Sequence, residues 1–308
     1  MKAALLRPAE AVMLALVSVI CIAAPFYGSR LVTYNLTVIA IDATVVISLN
    51  LLLGFAGQAS FAQTTFMAIG GYGVAILTTR YGVNPWLAIA VALVVSVLLA
   101  LAIGRPLLRL RGHYLSMGTV ALALGTYSFA NASTFTNGGW GITGIPALTI
   151  GSLSFRNPTA FYILACGICA LSLLAYRLLG NSHIGRAWRA LSTRQDISAS
   201  LGIDVNHYKL VALLIAAAMA SIAGSLYVCF AHFVGPDLYD ISVVINLMFM
   251  LFVGGLRSTV GPIVGAAFVV LVPQAVAGFE RYQNIVFFTL LLLVILIWPA
   301  GLFGRARR

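Results

Sequence analysis

The chain is a succession of long apolar stretches separated by short polar ones. A helix needs about 20 apolar residues to cross the hydrocarbon core of a bilayer, and ten stretches approach that length. We therefore predict an all-α polytopic membrane protein in which residues 1–308 form a single transmembrane domain. The predicted spans are 10–27, 34–53, 61–79, 86–104, 113–132, 159–178, 210–231, 241–255, 261–279 and 284–299.

Three of these spans, the third, eighth and ninth, are rich in glycine. A broken or re-entrant helix is tolerated within a membrane where its backbone is buried in protein or lines a water-filled cavity. The segments 54–79 and 254–266 are the candidates for such a break.

Composition agrees with a membrane protein. Hydrophobic residues make up 61% of the chain, charged residues 8%, and mean hydropathy is +1.04, whereas about a quarter of the residues in soluble domains are charged. The net charge of +11 does not indicate a nucleic-acid partner, because the basic residues lie at the ends of apolar spans rather than on one exposed patch.

The distribution of basic residues predicts the orientation. With both termini in the cytoplasm, fourteen of the 18 lysines and arginines lie on the inner face, as the positive-inside rule requires. This orientation also requires an even number of spans. The outer face receives Arg30, Arg80, Arg156 and Arg281.

The longest polar interruption, residues 181–209, carries four basic residues against two acidic ones and is predicted to be cytoplasmic. Within it, Ile184, Trp188 and Leu191 recur at helical intervals with arginines between them, which predicts one or two short helices at the membrane surface. The residues alone allow an amphipathic linker resting on anionic lipid or a docking loop.

Two interior features suit a transporter. The run 49–63, LNLLLGFAGQASFAQ, places polar amides among glycines at a span boundary, which fits either close helix packing or a polar cavity. Asp42 is the only acid predicted deep in a span, so it is protonated, paired or facing a polar pathway. A proton-coupled secondary transporter of a small solute that uses Asp42 is therefore the alternative function.

Several separated blocks, in one order over about residues 45–305, resemble the permease subunits of branched-chain amino-acid ABC importers. The sequence departs from the family pattern at Thr193-Arg194-Gln195, where an acidic cluster is common, and at Arg257, where glycine is more frequent. The blocks are LNLLLGFAGQASFAQ at 49–63, GHYLSMGTVAL at 112–122, NGGWGITGIP at 137–146, GRA at 185–187 with ASLGI at 199–203, VGGLRSTVGPIVGA at 253–266, and WPAGLFGR at 298–305.

The resemblance implies a fold like that of type II importer permeases and a set of partners. It implies a homologous permease as heterodimer partner, two ATPase subunits that carry ATP and Mg²⁺, an extracytoplasmic substrate-binding protein, and the bacterial inner membrane. It also implies that 181–209 is the coupling loop for the ATPases and that the periplasmic loop 134–158 docks the binding protein. The coupling candidates are Gly185, Arg186, Asp196, Ala199, Gly202 and Ile203, and the docking candidates are Gly138, Gly139, Trp140, Gly144 and Pro146.

Polarity and position add candidates for the substrate pathway. Neither lysine of the chain, Lys2 or Lys209, lies in a P-loop motif, so we expect no ATP hydrolysis by this chain, no enzyme activity and no cofactor or metal of its own. The substrate is predicted to be a branched-chain amino acid or a related small polar compound, with urea and short amides left open. The pathway candidates are Asn50, Gln58, Ser60, Gln63, Tyr114 and Thr119.

Overall fold

The computed structural model describes residues 30–110, 112–150, 153–193 and 204–275, together with 289, 292–293, 296–297 and 301–303. This part of the chain is predominantly α-helical, as predicted. The predicted first span, 10–27, and most of the last, 284–299, lie outside the described residues.

Each span predicted between residues 34 and 279 corresponds to one helix, and a further helix, α6, lies in the predicted coupling loop. The helices are α1 Arg30–Leu49, α2 Gln63–Tyr81, α3 Pro85–Leu107, α4 His113–Ala132, α5 Pro158–Asn181, α6 His183–Thr193, α7 Val205–Ala231, α8 Ile241–Gly254 and α9 Gly261–Ala275. The short strands are β1 Ile142–Thr143, β2 Thr149–Ile150, β3 Leu153–Ser154 and β4 Phe233–Val234.

Four helices of the described part are long and apolar enough to cross a membrane: Arg30–Phe55, which includes α1, and α3, α5 and α7. Helices α8 and α9 are also apolar but shorter. A π-helical stretch, Asn50–Phe55, follows α1 directly, so the helical rod is continuous from Arg30 to Phe55. Non-helical backbone then runs to Ala62, so the glycine-rich segment is broken before α2 rather than within it.

Helices α1, α2 and α7 form the centre of the core, and small residues allow them to approach closely. A Cβ atom added at Gly70 would collide with the backbone carbonyl of Ser221, and one added at Gly224 would collide with that of Met67. Backbone contact through small residues is a common way for helices to associate in membranes. Helix α3 packs against α2 and α7 through a row of small buried residues, Ala88, Ala92, Ser96, Ala100 and Gly104.

Polar caps set several helix ends. The Asn84 side chain accepts a hydrogen bond of 2.9 Å from the backbone nitrogen of Trp86 at the start of α3, and the Asp204 carboxylate accepts two bonds at the start of α7. Asp240 caps α8, where hydrogen bonds from the Ile241 backbone and the Ser242 side chain lower the pKa of its carboxyl group. Such caps satisfy first-turn N–H groups that have no partner within the helix.

The described helices have two distinct ends. At the first, named the basic end, the π-helical stretch, α6 and the turn between α8 and α9 meet. That turn also contacts residues 301–303, because Leu302 and Phe303 donate backbone hydrogen bonds to the carbonyl oxygens of Val253 and Gly254. The described basic residues at this end are Arg105, Arg109, Arg177, Arg186, Arg189, Lys209 and Arg257.

The opposite end, named the hairpin end, carries the short strands. Strand β1 pairs antiparallel with β4, and β2 pairs antiparallel with β3. Only Arg30, Arg80 and Arg156 among the described basic residues lie here. The positive-inside rule would place the basic end in the cytoplasm, and this orientation remains a prediction.

Candidate coupling and translocation site

Helix α6 lies against the core at the basic end, with one buried face and one exposed face. Trp188 and Leu191 are buried, whereas His183 and Arg186 are exposed. The Trp188 indole Nε1 donates a hydrogen bond of 2.8 Å to the carbonyl oxygen of Tyr208 near the start of α7. The short helix predicted from the spacing of apolar residues is therefore present and fixed to the next membrane helix.

The turn into α6 is tight. A Cβ atom added at Gly185 would collide with the carbonyl groups of Leu179 and Gly180. The close approach of the chain in this turn therefore requires glycine at position 185. Arg189 Nη1 donates a hydrogen bond of 2.6 Å to the Gly180 carbonyl oxygen, and its guanidinium lies 5.8 Å from the centre of the Phe55 ring. Of the other coupling candidates, Arg186 is exposed, and Asp196, Ala199, Gly202 and Ile203 lie outside the described residues.

Arg257, in the turn between α8 and α9, joins three segments at the basic end. Its Nε donates a hydrogen bond of 2.6 Å to the Gly54 carbonyl oxygen in the π-helical stretch, and its Nη2 donates one of 2.7 Å to the Ser192 hydroxyl in α6. Its backbone adopts a left-handed conformation, φ 60°, which is unfavourable for a residue with a Cβ atom. The Arg257 side chain therefore connects α6 to the π-helical stretch Asn50–Phe55.

Asn50 and Gln58 use their amides on backbone groups. Asn50 is fully buried, and its Nδ2 donates a bond of 2.9 Å to the Ser258 carbonyl oxygen while its Oδ1 accepts one of 2.9 Å from the Arg257 backbone nitrogen. Gln58 Nε2 donates a bond of 3.2 Å to the Lys209 carbonyl oxygen. These two candidates therefore hold the broken segment to its surroundings.

Hydroxyl groups complete the hydrogen bonding of the non-helical backbone between residues 56 and 62. Thr119 Oγ1 accepts a bond of 3.1 Å from the Phe61 nitrogen, and Ser116 Oγ donates one of 3.2 Å to the Ala59 carbonyl oxygen. Ser60 is buried and accepts a bond of 3.4 Å from the Ala62 nitrogen. Irregular backbone in a membrane needs internal hydrogen-bond partners. Ser116 and Thr119 of α4 supply two of these partners to residues 59–61.

Two pathway candidates behave differently from this group. Gln63 begins α2 and is 2% exposed, yet neither its amide nitrogen nor its amide oxygen has a hydrogen-bond partner within the described residues. Tyr114 is 73% exposed on α4. Asn50, Gln58, Ser60 and Thr119 therefore each bond to a separate backbone group, whereas the Gln63 amide is buried without a partner among the described residues and Tyr114 is exposed.

The docking candidates form a turn-rich surface at the hairpin end. Gly138 and Gly144 adopt positive φ angles of 57° and 77°, and the Trp140 side chain is 88% exposed. The surface is fastened to the core where His232 Nδ1 lies 2.8 Å from the Ile145 carbonyl oxygen. Gly139 and Pro146 are exposed as well.

A search against protein families found one match that covers most of the chain. The family described as the permease component of the branched-chain amino acid transport system matches residues 31–295. The chain belongs to this family.

Individual relatives agree with the family match. The permease is 28% identical to the high-affinity branched-chain amino acid transport system permease protein LivM of Salmonella typhimurium, over 94% of this chain and 74% of LivM. The Escherichia coli LivM is 27% identical over the same shares. The Salmonella typhimurium LivH is 25% identical over 85% of this chain and 91% of LivH. No solved structure matched.

Asp42 of the permease lies in α1 and lines a cavity of about 180 Å³ near the hairpin end. Within the described residues, no group of three or more His, Cys, Asp or Glu side chains is placed to hold a metal ion.

Sequence reasoning about the permease missed the residues that connect its parts. The sequence marks Arg257 only as a departure from the family pattern, and neither Ser192 nor Ser116 is among the predicted site residues. The signal for Arg257 is its position two residues after a Gly-Gly pair, because an arginine in a left-handed turn needs compensating contacts. Ser192 has no comparable signal, because its partner is 65 residues away in the sequence.

Proposed function

We propose that this chain is the transmembrane permease subunit of an ABC importer for branched-chain amino acids or related small polar substrates, placed in the bacterial inner membrane. The observation that carries the proposal is the connection of α6 to the broken helix through Arg257. An importer subunit without its own ATPase motif needs such a connection, because the energy enters at a cytoplasmic loop and the work is done within the membrane.

The proposed mechanism is conformational. Two separate ATPase subunits bind ATP and Mg²⁺ and move the coupling loop, residues 181–209, through the exposed face of α6 that carries Arg186. The buried face of α6 transmits the movement through Trp188 and Arg189, and Arg257 extends it to Gly54. Each nucleotide state then favours one arrangement of the broken segment, which is how a ligand shifts an equilibrium between two conformations.

A homologous permease is the proposed partner in the membrane. Helix α4 exposes Tyr114, Ser128 and Asn131 although it corresponds to a predicted span. Polar side chains on a membrane helix rarely face lipid, so this face suits a second subunit or a polar pathway. The match to both LivM and LivH, two permease proteins of one organism, supports a heterodimer of related chains.

The loop 134–158 at the hairpin end is the proposed periplasmic surface for a substrate-binding protein. Trp140 projects from it, and exposed aromatic residues are frequent anchors in protein interfaces. The adjacent turns are held by Asn137, whose Nδ2 donates a hydrogen bond of 2.7 Å to the Gly141 carbonyl oxygen. This bond joins the two sides of the turn that presents Trp140.

Co-purification tests the proposal directly. The tagged chain, extracted in mild detergent from its own cells, is expected to bring down a second permease and P-loop ATPases, identified by mass spectrometry. Arg186→Glu should release the ATPases and keep the second permease. Arg109→Glu, another exposed arginine at the basic end but outside α6, is the matched control and should keep both.

Recovery of the chain alone, with transport intact in liposomes that lack ATP, would contradict the importer. The alternative function, a proton-coupled secondary transporter that uses Asp42, draws support from the cavity beside this residue. It requires uptake driven by a pH gradient in liposomes containing only this chain, and loss of that uptake in Asp42→Asn.

A further inference from the structure

A cavity of about 180 Å³ lies between α1, α7, α8 and the short turn Pro236–Tyr239. A water molecule occupies about 30 Å³ in the liquid, so the cavity has room for several waters or one small solute. Apolar side chains such as Val38 and Val243 form part of its wall. The polar part of the wall consists of Asp42, Tyr227, Asp237 and Tyr239.

Two acidic side chains and no basic side chain of the described residues line this cavity. The described part of the chain contains four acids, Asp42, Asp204, Asp237 and Asp240, and Asp42 and Asp237 both line the cavity. Neither of these two carboxylates has a hydrogen-bond or ion-pair partner among the described residues. An ionised carboxylate without a partner is costly inside a membrane protein, so a cation in the cavity would lower the cost of ionising Asp42.

The two acids occupy different positions. Asp42 is partly buried in the middle of α1, whereas Asp237 is exposed on the turn that follows β4. Asp237 therefore stands at the mouth of the cavity, toward the hairpin end, and Asp42 stands further inside. An entering cation would meet a carboxylate at both positions.

Tyrosines supply the remaining contacts that a cation would use. Tyr239 is 3% exposed, lines the cavity, and has no hydrogen-bond partner for its hydroxyl within the described residues. The Tyr72 ring lies 5.7 Å from the Tyr239 ring, and its hydroxyl likewise has no partner there. Phenolic oxygens and aromatic faces both attract cations, so the tyrosines and the carboxylates favour the same class of ligand.

We propose that this cavity binds a small monovalent cation, with Asp42 as its principal counter-ion and Asp237 as the charge at its entrance. A divalent metal is disfavoured because the described residues offer no cluster of three ligating side chains. The cation is either a free inorganic ion or the ammonium group of a transported amine. The second source rests on the proposed transport function, whereas the first does not.

Equilibrium dialysis of the purified full chain in lipid nanodiscs tests the site. Radiolabelled rubidium probes the inorganic source and radiolabelled methylammonium the ammonium source, at constant ionic strength. Asp42→Asn, which keeps the side-chain shape, should weaken binding by about tenfold or more, because it removes a charge at short range in a partly buried site. Asp240→Asn is the control at the same end of the molecule and should bind as the wild type does.

The outcomes separate the possibilities. Saturable binding of either probe that is lost in Asp42→Asn and restored toward wild type in Asp42→Glu supports the site and identifies its source. Absence of saturable binding, or binding that Asp42→Asn and Asp237→Asn both leave unchanged, overturns it. Because no ATPase or binding protein is present, the result is independent of whether the chain co-purifies with importer partners.

Discussion

Arg257 and Ser192 are joined by a hydrogen bond of 2.7 Å although 65 residues separate them. The bond connects the turn between α8 and α9 to the end of the only helix described in the proposed coupling loop. The same guanidinium holds the Gly54 carbonyl oxygen. The Arg257 side chain therefore links the end of α6 to the π-helical stretch Asn50–Phe55.

Replacement of Arg257 should separate its backbone strain from its side-chain contacts. Arg257→Gly and Arg257→Ala both remove the guanidinium, and both should lower substrate-dependent ATP hydrolysis in the reconstituted complex. Because the residue adopts φ 60°, alanine should be less stable than glycine by about 1 kcal/mol. Thermal unfolding in detergent measures this difference. Wild-type transport in both variants would show that Arg257 does not transmit the coupling movement.

The crossing of α2 and α7 should not tolerate added methyl groups. Gly70→Ala and Gly224→Ala would each place a Cβ atom against backbone of the facing helix, so each should destabilise the chain by about 1–3 kcal/mol or prevent folding. Gly125→Ala in α4 is the control, because a Cβ atom there meets nothing within 4 Å. The control should be neutral or stabilising by up to about 1 kcal/mol. Equal melting temperatures for all three variants would contradict the close crossing.

Two buried amides should respond differently to removal. Asn50→Leu leaves the Arg257 nitrogen and the Ser258 carbonyl oxygen without their partner, so it should cost about 1–3 kcal/mol of stability. Gln63→Met removes an amide that has no partner among the described residues and should be neutral or stabilising. If Gln63→Met keeps its stability but loses substrate uptake, Gln63 belongs to the pathway. A stability loss as large as that of Asn50→Leu would instead reveal a structural partner.

Trp140 and Trp86 offer a matched pair at the hairpin end. Trp140 is 88% exposed, so Trp140→Ala should change stability by no more than about 0.5 kcal/mol and weaken binding of the substrate-binding protein. Trp86 Nε1 donates a hydrogen bond of 2.9 Å to the Thr149 carbonyl oxygen, so Trp86→Phe should lower stability by about 1 kcal/mol without direct loss of docking. Surface plasmon resonance with the immobilised complex distinguishes the two effects. Unchanged affinity in Trp140→Ala would remove the docking role.

The sequence predicts the helices between residues 30 and 275 well, because their limits are local features. Helix α4 begins at His113 and ends at Ala132, the limits predicted from the length of its apolar stretch. The Asn84-Pro85 pair similarly marks the start of α3, where the asparagine caps the helix and the proline occupies its first turn. Apolar length and capping residues both act over a few neighbouring positions, so they can be read without tertiary information.

The connections between helices could not be predicted in the same way. The run LNLLLGFAGQASFAQ identified the polar block, but the sequence does not show that Asn50 binds Ser258 or that Thr119 binds Phe61. These partners depend on helix packing between segments far apart in the chain. The π-helical stretch Asn50–Phe55 is another such outcome, because its apolar residues are compatible with an ordinary α-helix.

The contacts of Leu302 and Phe303 with Val253 and Gly254 have a consequence for biosynthesis. Proteins are synthesised from the N-terminus, so the turn that contains Arg257 leaves the ribosome well before the residues that pack against its flank. During this interval, the Val253 and Gly254 carbonyl oxygens at the end of α8 lack these two backbone partners. The backbone contacts that join the end of α8 to residues 302–303 therefore form only after synthesis has reached Phe303, so this junction is among the last described contacts of the chain to be completed.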